Sequence, residues 1–162
     1  MTDLRKKLYN KAPFLRNNTI EVEDLSIIIP ENAILIEFQK YTIDPRSYYV
    51  ALTISSKNDI DCINLGNAGE IEKKLKEAIE TTKYNKDGQQ RLWDELSNLI
   101  IKPLEDKISD KDIIFISPDS ELNRFPFSII KNPNSDEYLT KSKKIRLITS
   151  SKDLFNIVKE NT

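Results

Sequence analysis

The chain has 162 residues, 38% hydrophobic and 31% charged, with 25 basic side chains against 26 acidic ones and a net charge of −1. That is one domain's worth of sequence, long enough to bury a core, and its balanced charge excludes a strong electrostatic footprint for nucleic acid or anionic membrane. It contains no histidine and one cysteine, which excludes a Ser-His-Asp triad, a Cys-His dyad, the ordinary zinc sites and an internal disulfide.

Residues 2–11 predict a short polar helix ending before Pro13. A second short helix opens at EVEDL, 21–25, with Thr19 as a candidate N-cap and Pro30 as its stop. AILIEFQKY, 33–41, predicts a strand with Ile34, Ile36 and Phe38 on one face. A turn through Asp44-Pro45 leads to SYYVALTI, 47–54, where Tyr48, Val50, Leu52 and Ile54 alternate. Another turn at 57–59 leads to IDCINL, 60–65. Such short connections predict an antiparallel meander.

The period then changes from two to 3.6. Asn67 followed by Glu70 is a capping signal, and Ile71, Leu75, Ala78 and Ile79 follow at helical spacing. After a polar break at 82–88, Leu92, Leu96, Leu99 and Ile100 form a second stripe beside Trp93. Pro103 kinks that helix or begins a short new one through Leu104 and Ile108. DIIFIS, 112–117, is nearly all apolar, as suits a strand covered on both faces. KIRLIT, 144–149, predicts a further strand, and Ser150 or Ser151 a cap for a last helix carrying Leu154, Phe155 and Val158. The order predicts an α/β fold: a mixed β-sheet with an antiparallel start and flanking helices.

The densest punctuation is FISPDSELNRFPF, 115–127. Asp119 follows a buried-looking strand, the end at which open α/β sheets bind ligands, so it is a candidate base or metal ligand. The plainer reading is an Asx turn after Pro118. Leu122, Phe125 and Phe127 are expected to point back at the sheet, with Arg124 at the surface or beside an acid. Cys62 lies within a strand pattern and has no base nearby in sequence, which predicts a buried structural cysteine. Asp59 and Asp61 share a strand face, but a solvated turn-to-strand boundary is the simpler account. Tyr41, Tyr48, Tyr49 and Trp93 lack the interleaved basic stripe of a base-stacking platform and are expected to pack. Lys141, Lys143, Lys144 and Arg146 are expected on the solvated side of a strand.

Taken in order, IIPENAILIEFQKY, YYVALTIS, LWDELSNLIIKPLEDKI, DIIFISPDSELNRFPFSII and YLTKSKKIRLITSSKDL resemble the CHAT family over about residues 4–155. These are caspase-like domains of the clan CD peptidase type, often joined in bacteria to tetratricopeptide repeats. The matching steps are Pro30 with 33–38, 48–54, Pro103-Leu104, Pro118-Asp119, Leu122 with Pro126-Phe127, and 145–151. Two positions depart from the pattern. Ser120 stands where many relatives have glycine, and Phe125 where many have leucine.

In that family the catalytic histidine and cysteine lie beyond the strand matching 144–149. The resemblance therefore implies the first half of a caspase-like fold, with residues 1–30 a helical segment, the tail of a preceding repeat array, and 31–162 the N-terminal part of a CHAT-like domain. It implies no catalytic, cofactor-binding or metal residue here, no cofactor, and a non-catalytic scaffold or protein-interaction role. The alternative is one subunit of a split cysteine peptidase whose dyad sits on a partner chain. A carboxylate enzyme centred on Asp119 ranks last. An unpaired apolar edge at 112–117 or 144–149 would call for a partner strand, a homodimer or a separately encoded catalytic half. With one cysteine, no apolar run near the roughly 20 residues of a membrane span, and no apolar region behind MTDLRKKLYN, the expected location is cytoplasmic.

Overall fold

The structure, a computed structural model, describes residues 22–56, 59–84, 87–132, 137–150 and 153–154. The expected helix at 2–11, the Thr19 cap and most of the last helix lie outside these residues. Val22–Ile28 forms α1, with Pro30 just beyond its end. The meander follows as β1 (Ala33–Ile43), β2 (Arg46–Ser55) and β3 (Ile60–Asn67). Gly66, at φ 100°, lies beside a register shift opposite Tyr49 and Val50. A side chain there would be strained, so glycine suits the bend from strand to helix.

Asn67 Oδ1 then accepts a hydrogen bond of 3.1 Å from the Glu70 amide and starts α2, Ala68–Lys83, as its spacing predicts. α3 runs Gln89–Ile100. Pro103 does not kink it. It sits in a separate 3-10 turn, Lys102–Leu104, that leads into α4, Glu105–Ile108. β4 (Ile113–Ser117) and β5 (Lys144–Leu147) complete the sheet, with 3-10 turns at Ser120–Arg124, Phe127–Ile129 and Leu139–Lys141 between them.

The sheet order is β3-β2-β1-β4-β5. β1 is antiparallel to β2, β2 to β3, while β1, β4 and β5 are parallel. The fold is thus α/β with a mixed sheet, antiparallel at its start. One face packs under α2 and α3, through Ile36 and Phe38 of β1, Ile114 of β4, and Leu75, Leu96 and Ile100 of the helices. A smaller cluster covers part of the other face, where Leu25 and Ile29 from the α1 end and Leu154 meet Ala33, Leu35 and Ile54.

Two strand readings change. In β2 the face under the helices carries Tyr49 and Ala51, both fully buried, while Tyr48, Val50 and Leu52 are half-buried on the opposite face. Alternation alone cannot tell which of two partly apolar faces meets the larger layer. The strand at 112–117 is not an edge, because β4 lies between β1 and β5. β5 is the outer strand there, and three of its four side chains are exposed, two of them basic. The outer strand is thus the second of the two expected, and it is apolar on one face only.

The 115–127 segment closes the main core with rings. Phe127 lies 5.7 Å from Phe38 and 4.9 Å edge-on from Phe125, which lies 6.0 Å from Trp93. The Trp93 indole N–H donates to Thr82 Oγ1 at 2.9 Å, tying α3 to α2. Phe127 is 2% exposed, so Phe127→Ala would leave a cavity touching both sheet and loop. The expected cost is about 3–5 kcal/mol, a large share of a single domain's stability, measured as a fall in the urea midpoint.

Candidate functional site

Ligand chemistry in an α/β sheet belongs at the end of its parallel strands, here the end of β4. β4 pairs with β1 only as far as Ser117 opposite Glu37. Beyond it the Asp119 carboxylate takes the place of a ladder partner. Its Oδ2 accepts a 2.8 Å hydrogen bond from the backbone N–H of Lys40. The expected Asx turn is therefore corrected: Asp119 makes no side-chain hydrogen bond into the turn it precedes, and its bond goes 79 residues back along the chain.

The Lys40 side chain lies on the helix-facing side of β1 and reaches Glu72 on α2, Nζ to Oε1 at 2.6 Å. The same carboxylate oxygen accepts the Tyr49 hydroxyl at 2.8 Å. Burial first, and then this hydrogen bond to Glu72, push the Tyr49 phenol above its ordinary range. A tyrosine held protonated, beside a carboxylate already satisfied twice, makes a structural tie between β1, β2 and α2. The three residues are not visible as a group in the sequence. The one available signal is a lysine on the buried face of β1, two positions after Phe38.

Ser120 has φ 52°, the left-handed region where side chains are strained. The resemblance drawn from the sequence has glycine here in many relatives, so the serine has a conformational cost. The rest of the loop behaves as expected. Leu122, Phe125 and Phe127 are buried, and Arg124 pairs with Glu121 at 2.9 Å on the surface.

The remaining candidates are scattered. Cys62 is corrected: it is exposed on β3, opposite Leu52, because β3 is an outer strand and 62 falls on its solvent side. Asp61 and Asp59 share the Lys107 ammonium, with Asp59 at 3.6 Å, and both stay about half exposed. The hydrogen bond to Asp61 chiefly pushes the Lys107 pKa up. Tyr41 and Tyr48 stack on each other at 5.6 Å, whereas Tyr49 and Trp93 are buried, so the four form no common platform. Lys143 is not on a solvated strand face: its Nζ donates to the carbonyls of Ser109 and Lys111 at 2.9 and 2.6 Å. Lys141 pairs with Glu137 at 3.0 Å, and Lys144 and Arg146 are exposed on β5. Among the described residues no three histidine, cysteine, aspartate or glutamate side chains gather as a metal site.

The CHAT domain family model matches residues 90–161. The match takes in α3, the Pro103 step, β4, the 115–127 corner and β5, and leaves out the antiparallel meander. No curated protein matches the chain. The CHAT-matched segment thus holds β4 and β5, two of the three parallel strands, and the loop that closes the core.

Two outcomes test the corner. Ser120→Gly should raise stability by about 0.5–1 kcal/mol, since the relief of left-handed strain exceeds the added freedom of the unfolded chain. A higher urea midpoint with unchanged slope would show it. Tyr49 is protonated in the folded state at pH values where an unfolded tyrosine, pKa about 10, has lost its proton. Its contribution is therefore complete below about pH 10 and is lost as pH rises beyond it, with a slope of up to about 1.4 kcal/mol per pH unit. Comparing Tyr49→Phe with the parent across that range should remove one proton's worth of slope.

Proposed function

We propose that these residues act as the N-terminal half of a CHAT-like, caspase-like peptidase domain, serving without catalysis as a scaffold or protein-interaction module. The observation that carries this reading is a CHAT match over residues 90–161 in a sequence with no histidine. A Cys-His dyad cannot be assembled from these residues. Cys62 supports the same reading. It is exposed on β3, the strand at the far end of the sheet from the CHAT-matched β4 and β5. Asp119, the best carboxylate candidate, is engaged with the Lys40 amide.

In this reading β5 is the joining edge. It is the outer strand of the parallel half, and a second half-domain would continue the sheet from it. That same edge favours a second reading, in which the chain is one subunit of a split cysteine peptidase and the dyad is supplied by a partner chain. A neighbouring reading frame encoding a His-Gly step and a later cysteine would select that alternative.

The scaffold reading predicts that the chain alone cleaves nothing in a broad peptide library in a cysteine-dependent way, and that Cys62→Ala changes no background rate. Cleavage abolished by Cys62→Ala would overturn it.

A further inference from the structure

The chemistry of the β5 edge narrows what can join it. The parallel ladder to β4 uses the N–H of Lys144, donated to the Asp112 carbonyl at 2.8 Å, and that of Ile148, donated to the Ile116 carbonyl at 2.9 Å. Because strand groups alternate in direction, the N–H and C=O of Ile145 and Leu147 point away from β4. No backbone partner meets them among the described residues.

The side chains of β5 divide by face. Ile145 and Leu147 lie beside Ile114 and Ile116 on the face that carries the main core, yet Leu147 remains 60% exposed. Lys144 and Arg146 lie beside Ile113 and Phe115 on the other face, exposed and with no ion-pair partner among the described residues. The edge therefore offers an apolar row on one side and a cationic row on the other.

Resting on the reading of β5 as the joining edge, we propose that it takes an extended segment of another protein that alternates apolar and acidic side chains, and that it rejects a second copy of this chain. Two copies paired antiparallel about a two-fold axis keep faces together. Within β5, each such register sets Lys144 or Arg146 against itself or the other, except the one centred on Leu147, which pairs no residue of the strand but that leucine. Like charges directly opposite on a strand pair are destabilising, and opposite charges are favourable. Charged edge strands are also a device against self-pairing. The same two cations block copies and leave room for a strand with carboxylates in their register. Apolar side chains alternating with those acids would cover Leu147 and Ile145.

The test uses amide NMR of the full chain with three capped heptapeptides: alternating glutamate and valine, alternating lysine and valine, and the glutamate-valine composition in blocks. The alternating acidic peptide should shift amides at 144–148, bind about tenfold tighter than the lysine peptide, and weaken several-fold between about 50 and about 500 mM salt. The double change Lys144→Glu with Arg146→Glu, at exposed positions, should reverse the preference. Equal binding of acidic and basic peptides at 144–148 would overturn the charge selection and leave the joining edge standing. So would equal binding of the block peptide. If no peptide shifts these amides, both the selection and the joining edge fail. Dimers in sedimentation velocity that are lost on Leu147→Pro would overturn the rejection of a second copy.

Discussion

The rest of the structure depends on β1 being paired along both edges, antiparallel to β2 and, over Ala33–Glu37, parallel to β4. An antiparallel neighbour can be reached through a tight turn, but a parallel one needs a crossover. The chain therefore leaves through β3, α2, α3 and α4 before it returns as β4. Those crossover helices bury the sheet face that carries Ile36, Phe38 and Ile114. The mixed character of the sheet and the position of its main core follow from that one double pairing.

The same pairing explains the corner. β4 is five residues long and β1 is eleven, so β1 outruns its parallel partner. Its Lys40 amide would lose a partner, and a buried or half-buried N–H without one is costly. Asp119 supplies the acceptor, Lys40 turns its side chain to Glu72, and Tyr49 completes the tie. A loop that sits at the ligand-binding end of a parallel sheet is here spent on finishing the ladder and on closing the core with Phe125 and Phe127. The strained Ser120 is a consequence of the sharp exit from β4 into the 3-10 turn at Ser120–Arg124.

The two outer strands differ in kind. β3 turns Ile60, Cys62 and Asn64 to solvent and holds Asp61 on Lys107. β5 is short, with cations on one face and an exposed leucine beside the core on the other. β5 lies within the CHAT-matched segment, whereas β3 lies outside it. Edge hydrogen bonds are available to any extended chain and a charge pattern is not, so the asymmetry of β5 is the feature on which the proposed selection of a partner rests.

Much of this is legible in the sequence. Periodicity marks the meander, the Asn67 cap and both long helices, because each local signal agrees with the element that tertiary packing requires. The missing histidine excludes whole classes of catalysis on composition alone. The fate of Asp119, the exposure of Cys62 and the choice of core face in β2 are not legible. Each depends on a contact made across the sheet or on which strand lies at its edge, and one strand's alternation looks the same in either case. Sequence alone determined the elements seen among the described residues and the surface place of Arg124. Only the tertiary structure decided that β4 is internal and β5 outermost, because strand order is set by long-range pairing that no local pattern encodes.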